Sequence, residues 1–280
     1  MKIVIYGLAK SGTTALFYKL KNSLPPDAVC LFEPQSFDPR ALKPKGIKAL
    51  VARGREPDVL AKVLPFRPSA PADADSFAHF DRHVLLIRDP RDRLISRLLY
   101  GVYHADFCGR DDKVTEFLAL LRRKEDDPRS VSVKRLLAAF AELNGERFTF
   151  AEWAASHTEH SVRRPLEFHD RRGWLFLFRY EEMIDGRFAA LEEYLGVSLK
   201  GDIAVPPELD RVRRTQSYGN WRDWLTEEDV ECLRPVLQPF LDRYYSEADW
   251  ELNPSPTIAP AHGSLYVARI VSDRRAALKL

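Results

Sequence analysis

The chain begins with a short apolar run, a glycine-containing loop and an amphipathic segment, and this succession constrains its fold more than any other feature. Residues 2–6, KIVIY, are rich in β-branched side chains and end at Gly7, which predicts a buried strand. The segment TTALFYKLKNSL has apolar residues at helical spacing and stops at Pro25 and Pro26. A strand, a glycine loop and a helix in this order are typical of a phosphate-binding loop.

The loop, GLAKSGTT from Gly7 to Thr14, departs from the loop of ATP-binding enzymes. In those enzymes a lysine follows the second glycine and contacts the outer phosphates, whereas Thr13 occupies that position here. The lysine of this chain is Lys10, inside the loop. Backbone N–H groups and the positive end of the helix dipole still favour phosphate or sulfate oxygens. We therefore expect a site for an anhydride shorter than a triphosphate, held without an obligatory metal ion; the alternative is a glycine-rich turn that binds nothing.

Other segments predict the rest of the fold. Strand-like runs are AVCLFEP (28–34), IKALVARG (47–54), HVLLIRDP (83–90) and GWLFLFRYEEM (173–183). Helical patterns are RDRLISRLLYGVYH, DGRFAALEEYLGV with Gly196 as its stop, and TEEDVECLRPVLQPFLDRYY with Thr226 as its N-cap. Alternating strands and helices predict an α/β fold with a central parallel sheet flanked by helices. We expect loops around short elements over 34–71, a charged helical insertion over 113–172, and a single domain over 1–280.

The charge balance, the cysteines and the apolar runs of the chain limit the partners and the cellular compartment that we expect. Lys and Arg number 43 against 41 Asp and Glu, so the positive excess that a dedicated nucleic-acid binder needs is missing. The cysteines, Cys30, Cys108 and Cys232, form no CxxC pair, which favours a reducing compartment over a disulfide framework or a zinc site. No apolar run has the length of a signal peptide or a membrane span. We expect a soluble cytoplasmic protein without a nucleic-acid partner; its oligomeric state is not indicated.

The first loop also carries a family resemblance. YGLAKSGTTAL resembles the 5′-phosphosulfate-binding loop of sulfotransferases that use 3′-phosphoadenosine 5′-phosphosulfate (PAPS), whose usual form is close to PKSGTT. The resemblance implies an α/β fold like that of the P-loop nucleotide kinases. It also implies that the phosphosulfate is bound by Lys10, Ser11, Gly12, Thr13 and Thr14.

A second segment, LLIRDPRDRLIS, resembles the 3′-phosphate motif of the same family. Arg88 follows a strand-like run and precedes Ser96 by eight positions, as the motif requires. The resemblance implies that both hold the 3′-phosphate, for which a guanidinium fork and a hydroxyl are suited. The alternative is that Arg88 pairs with a neighbouring aspartate and that Ser96 is an ordinary helix-face serine. We interpret Arg91 and Arg93 as solvated or structural charges.

A third segment matches the same family more loosely. RVRRTQSYGNWRDWLT, residues 211–226, resembles the segment that closes over the donor, and we expect that closing segment over 205–225. This implies roles for Arg213, Arg214 and Gly219, with Trp221 as a packing anchor. The family's Arg-Lys-Gly reads Arg-Thr-Gln here, so which arginine reaches the phosphate stays open.

The segment LFRYEEM resembles the family's YEDM, which implies that Tyr180 lies near the adenine; a buried core tyrosine is the alternative. Several members stack an aromatic residue on the adenine directly after the two threonines. This chain has Ala15 there, so either another side chain covers the base or the base is held by its edges.

The resemblance implies in-line transfer of a sulfuryl group from PAPS to an acceptor hydroxyl, which leaves adenosine 3′,5′-bisphosphate. Lys10 would neutralise charge on the bridging oxygen, and no metal ion is needed. Carbohydrate- and tyrosyl-type members use a glutamate after the second strand as general base, and CLFEP places Glu33 there. We expect burial to raise its pKa and Lys62 to act as an accessory cation. A surface residue before a turn is the alternative for Glu33.

The sequence leaves open other candidates for the general base and other classes of protein. Cytosolic members use a histidine after a short strand, where VLAKVLPFR has Leu64. His79, His83 and His104 are isolated and make weaker candidates. The competing classes are a P-loop kinase or NTPase, which the residue after the second glycine disfavours, and a non-catalytic nucleotide-binding module. LFEP favours a carbohydrate acceptor, but a lipid or a phenol remains open.

Overall fold

The computed structural model describes residues 1–38, 57–68, 71–200, 203 and 205–278. The chain divides into two compact units. The first comprises Met1–Arg88 and Arg163–Pro207, and the second comprises Asp89–Val162 and Glu208–Leu280. That residues 1–280 act as a single domain stays a prediction.

The first unit contains a five-stranded sheet. Its strands are β1 (Lys2–Gly7), β2 (Val29–Phe32), β3 (Val59–Val63), β4 (Arg82–Ile87) and β5 (Phe176–Arg179). They lie in the order β2-β3-β1-β4-β5, and each neighbouring pair is parallel. The predicted parallel sheet is therefore confirmed. Since β2 and β3 lie on one side of β1 and β4 and β5 on the other, the strand order changes direction at β1, and the carboxyl ends of the strands there border the crevice in which α/β proteins bind ligands.

Helix α1 (Thr13–Lys21) covers this sheet as the sequence predicts. Its apolar face, with Leu16 and Leu20, packs in one buried cluster with Ile3, Ile5 and Leu86 of the sheet. The other helices of the first unit are Arg164–Asp170, Tyr180–Ile184 and Ala189–Leu195. The last of these ends at Gly196, whose φ of 68° gives the left-handed cap that the glycine predicts.

The second unit is helical over its described residues. Its helices are Pro90–Gly101, Asp111–Asp126, Val133–Asn144, Phe150–Thr158, Trp221–Trp224, Glu227–Tyr244 and Ser264–Leu278. A short 3-10 turn lies in the first unit at Ala74–Phe77. Further 3-10 turns occupy Val102–His104, Asp106–Gly109, Pro207–Val212 and Pro260–His262, and a π-helical turn occupies Glu159–Arg163. The helical content predicted for 113–172 is confirmed, whereas its role as an insertion stays a prediction.

One carboxylate organises two of these helices. Thr226 and Asp229 form the capping box of Glu227–Tyr244, which confirms Thr226 as the N-cap. The Asp229 carboxylate also accepts hydrogen bonds from the backbone N–H groups of Val133 and Lys134, each at 2.8 Å. Because both helices present unpaired N–H groups at their first turns, a single buried aspartate stabilises both.

The predicted strand at 47–54 lies outside the described residues, and the third strand in chain order within them is Val59–Val63. Within the described ranges, no helix combines the length and the apolar character that crossing a bilayer requires.

Candidate active site

The loop after β1 is shaped by its two glycines. A Cβ at Gly7 would lie 2.6 Å from Cγ2 of Thr13, and a Cβ at Gly12 would lie 2.5 Å from Cδ2 of Tyr180. Gly12 also has a φ of 92°, in the left-handed region that glycine favours. The loop therefore packs too closely against Thr13 and Tyr180 to accept a side chain at either glycine.

The side chain of Ser11 in this loop is a buried hydroxyl group. The residue is 1% exposed, and its Oγ has no hydrogen-bond partner within the described part of the chain. It lies immediately before α1, whose first turn contains no acidic residue and whose N-cap residue, Gly12, contributes no side-chain hydrogen bond. Buried hydroxyls without partners are rare, and helix N-termini attract anions. An oxygen atom of an anionic group satisfies both requirements.

Arg88 is brought to the same loop from the end of β4. Its Nη1 donates to the carbonyl oxygen of Lys10 at 3.3 Å, and its guanidinium lies 4.2 Å from the ring centroid of Tyr180. Arg88 and Tyr180 are both buried, at 6% and 5% exposure. The fold thus gathers predicted residues from three strand ends around Gly12.

Glu33 lies at the end of β2 and is held by two cations. Nζ of Lys62 donates to its Oε1 at 2.6 Å, and Nη2 of Arg67 pairs with its Oε2. The same Nζ donates to Oγ1 of Thr14 at 2.8 Å and lies 4.0 Å from the ring centroid of Phe32. Lys62 therefore links the candidate base directly to the loop, as a more central cation than the sequence predicts.

The charge state of Glu33 differs from the sequence expectation. Burial is the largest single influence and acts to raise its pKa, but the attraction and hydrogen bonds of Lys62 and Arg67 together outweigh burial, so the pKa lies below its usual value. The expectation that burial would leave a raised pKa was wrong. Burial lowers the pKa of Lys62, and Glu33 opposes that change in part. The resting carboxylate is ionised, with both oxygens engaged.

Lys10 and Glu33 share a backbone feature. They have φ values of 71° and 53°, and no other non-glycine residue in the described ranges has a positive φ. This conformation costs an ordinary residue about 1 kcal/mol and is concentrated at functional sites. Glu33 directly follows β2, and Lys10 lies three residues after the end of β1, at the edge of the sheet where α/β proteins bind ligands.

The structure also locates the predicted residues of the second unit. Ser96 is buried in Pro90–Gly101, at 3% exposure. Arg213 is half-exposed, and its Nε donates to Oδ1 of Asp210 at 2.7 Å. Arg214 is buried and donates from Nη1 to the carbonyl oxygen of His262 at 3.3 Å. Their roles in phosphate binding stay predictions.

The segment around Gly219 and Trp221 is anchored by Asp92. Its carboxylate accepts from the N–H of Gly219 at 2.5 Å and from the N–H of Trp221 at 3.0 Å. Trp221 is 2% exposed, and the guanidinium of Arg91 lies 3.8 Å from its ring centroid. Trp221 is thus a packing anchor as predicted. Arg91 and Arg93 are both buried, so of the two roles predicted for them the solvated one was wrong.

Arg67 was missed by the sequence reasoning. Arg67 follows β3 by four positions, so a cation at the carboxyl end of a strand was the available signal.

Two of the histidines considered as alternative bases lie in different surroundings. His79 is exposed, and His83 is buried with Nε2 2.7 Å from the carbonyl oxygen of Phe80. Which group acts as general base stays a prediction. Within the described residues, no group of three His, Cys, Asp or Glu side chains is arranged to hold a metal ion.

Comparisons with known proteins find similar solved structures. No protein-family model matches the chain. No curated protein matches it. A solved structure that resembles the fold is that of mouse sulfotransferase SULT7A1 complexed with PAP, at 15% identity and a TM-score of 0.46, covering 87% of this chain and 84% of that chain. The likeness concerns the backbone arrangement alone.

Proposed function

We propose that the protein is a PAPS-dependent sulfotransferase. It moves a sulfuryl group from 3′-phosphoadenosine 5′-phosphosulfate to a hydroxyl of a carbohydrate or glycoconjugate by in-line displacement, releasing adenosine 3′,5′-bisphosphate. The observation that carries the proposal is the buried Ser11 hydroxyl, which has no partner within the described residues and lies beside the first turn of α1. The resemblance of the surrounding motif supplies the identity of the anion.

The residues present fit this donor. Ser11 would donate its hydroxyl, and the cradle around Gly12 would let backbone N–H groups approach the phosphosulfate. Thr13 and Thr14 add hydroxyls at the start of α1. Arg88, at the neighbouring strand end, adds a fixed positive charge. For the 3′-phosphate we propose Arg88, Ser96, Arg213, Arg214 and Gly219, with Tyr180 near the adenine.

The donor supplies the sulfuryl group and the leaving phosphate. Lys10 would neutralise the charge that develops on the oxygen between sulfur and phosphorus. Glu33 would accept the proton of the acceptor hydroxyl as that oxygen bonds to sulfur. Lys62 would hold Glu33 in place through the ion pair of 2.6 Å and keep Thr14 beside it. Positioning and charge stabilisation carry the reaction, and no step is assigned to a metal ion.

A carbohydrate acceptor is supported at the edge strand. Glu33 occupies the position of the glutamate base in carbohydrate-type members, and the Phe32 ring beside it is 41% exposed. An exposed aromatic ring next to the proposed base offers an apolar surface to a sugar face. We also propose a cytoplasmic location, which is supported by three cysteines that carry free thiols.

Donor binding is tested by thermal unfolding. Adenosine 3′,5′-bisphosphate should raise Tm without magnesium, because a ligand of the folded state alone stabilises it by mass action. ATP with magnesium should have no comparable effect. The reverse result would identify a P-loop kinase or NTPase and overturn the proposal.

Transfer is tested with radiolabelled PAPS and acceptors from several chemical classes. Lys10→Ala should abolish transfer, and Lys21→Ala, at the far end of α1, is its matched control. Glu33→Gln should lower turnover by about 10²- to 10⁴-fold while leaving bisphosphate affinity nearly unchanged. Equal losses of turnover and affinity in Glu33→Gln would remove Glu33 from the role of base. Bisphosphate binding without transfer to any acceptor would indicate a non-catalytic module.

A further inference from the structure

We infer that Arg67 makes this site selective for acceptors that carry an anionic group next to the reacting hydroxyl. Arg67 occupies one oxygen of Glu33 in the resting molecule, and the anion of the acceptor draws Arg67 away and frees that oxygen. This inference rests on the proposed function and narrows its substrate class. Arg67 is thus a specificity-determining and positioning residue, and Glu33 remains the group that takes the proton.

Each oxygen of the Glu33 carboxylate is paired with a cation. Oε1 of Glu33 accepts from Lys62, and Oε2 pairs with Arg67. A carboxylate in this state offers its remaining lone pairs in competition with two cations, which disfavours proton uptake. One of the two ion pairs must loosen before Glu33 acts as an efficient base.

The two cations differ in how firmly they are held. The side chain of Lys62 is 3% exposed, and its Nζ has two hydrogen-bond acceptors and an aromatic ring as neighbours. The side chain of Arg67 is 40% exposed, and its pairing with Glu33 is the one polar contact of its guanidinium that the described ranges show. An ion pair with a solvated partner is weak and exchanges readily. Arg67 is therefore the partner that leaves.

The chemistry of the acceptor follows from this exchange. A guanidinium displaced from one carboxylate is best received by another carboxylate or by a sulfate, which it binds through a two-pronged hydrogen bond. A neutral acceptor has no anionic group to which Arg67 can move. With such an acceptor, Glu33 therefore stays paired with both Lys62 and Arg67. The site therefore favours an acidic sugar over a neutral sugar of the same shape.

The direct test follows the Glu33 carboxyl itself and needs no turnover. Protein labelled with carboxyl-¹³C glutamate is titrated with acid by NMR, and the Glu33 signal is assigned by its loss in Glu33→Gln. The charged groups that act on this carboxyl are Lys62 from β3 and Arg67 from the loop after it. Methyl β-glucuronide, but not methyl β-glucoside, should move the titration midpoint upward in the wild-type protein.

Two variants complete this test. Arg67→Gln should raise the midpoint without any ligand, and the glucuronide should then have no further effect. Arg187→Gln removes another exposed arginine of the first unit, paired with Asp185, and should behave as wild type. The inference is overturned if the glucuronide leaves the wild-type midpoint unchanged, if both glycosides act alike, or if Arg67→Gln leaves the midpoint where it was.

Turnover gives a second and separate readout. In the wild type, kcat/KM for the glucuronide should exceed that for the glucoside by at least about tenfold, and in Arg67→Gln the ratio should approach one. Transfer without charge preference contradicts the role of Arg67 and leaves the sulfotransferase proposal standing. Absence of bisphosphate binding contradicts the sulfotransferase proposal, while the NMR titration still decides whether an anion displaces Arg67.

Discussion

Lys62 and Glu33 form an ion pair between the ends of β3 and β2, with Nζ and Oε1 2.6 Å apart. The two partners are unequally buried, since the lysine side chain is 3% exposed and the glutamate side chain 25%. The buried ammonium of Lys62 therefore depends on the ion pair for its stability more than the partly solvated carboxylate of Glu33 does. Substituting each partner in turn tests this difference.

Glu33→Ala should destabilise the protein more than Lys62→Met does. Loss of Glu33 leaves a buried ammonium without its counter-charge, which costs about 3–5 kcal/mol. Loss of Lys62 leaves a partly solvated carboxylate still paired with Arg67, at a cost of about 1–2 kcal/mol. Urea unfolding at neutral pH measures both free energies, with Asp185→Ala, in an exposed ion pair, as control. A larger loss for Lys62→Met would contradict this assignment.

Gly12→Ala should disrupt the loop, whereas Gly145→Ala should be mild. Both glycines have positive φ, at 92° and 80°, so alanine costs about 1 kcal/mol of backbone strain at each. Only Gly12 adds a collision, because its Cβ would lie 2.5 Å from Tyr180 while nothing lies within 4 Å at Gly145. We expect Gly12→Ala to unfold at least about 1–3 kcal/mol more easily and to lose the bisphosphate-dependent rise in Tm. Equal stability of the two variants would show that Tyr180 yields to the new methyl group.

Asp92→Ala should loosen the segment around Gly219 and Trp221. The substitution deprives two backbone N–H groups of their acceptor, which should cost about 2–3 kcal/mol in chemical unfolding. Asp92→Asn keeps one acceptor oxygen and should fall between Asp92→Ala and the wild type. Asp242→Ala, at an exposed aspartate of the same unit, should change stability by less than about 0.5 kcal/mol. If Asp92→Ala matched that control, the two hydrogen bonds would not hold the segment.

Stability should fall on acidification because of His157. Burial, and then the charges of Arg93 and Arg97, hold its pKa well below the ordinary value. Below pH about 6.5 the unfolded chain binds a proton that folded His157 does not, so stability decreases by up to about 1.4 kcal/mol per pH unit until the folded-state pKa is reached. His157→Gln should therefore lose less stability than wild type between pH about 7.5 and about 5 in urea unfolding. His79→Gln, at an exposed histidine, is the control, and parallel pH profiles for His157→Gln and wild type would contradict the prediction.

Local sequence determined much of the architecture and the position of the loop. The β-branched run before Gly7, the glycines around Lys10 and the cap at Thr226 act over a few residues, so their structure can be predicted from the chain alone. The same holds for Glu33, which the pattern places at the end of a strand. The resemblance of the loop to a phosphosulfate-binding motif likewise depends only on residues adjacent in sequence.

Tertiary structure decided what these residues meet. The Lys62 ammonium reaches Glu33 across 29 positions of the chain and Thr14 across 48, and Arg67 reaches Glu33 across 34. Those contacts reverse the expected pKa shift of Glu33, because the sign depends on which charges the parallel strands bring to one edge. Periodicity and motif spacing cannot report such pairings, since the sheet order that creates them is a property of the folded chain.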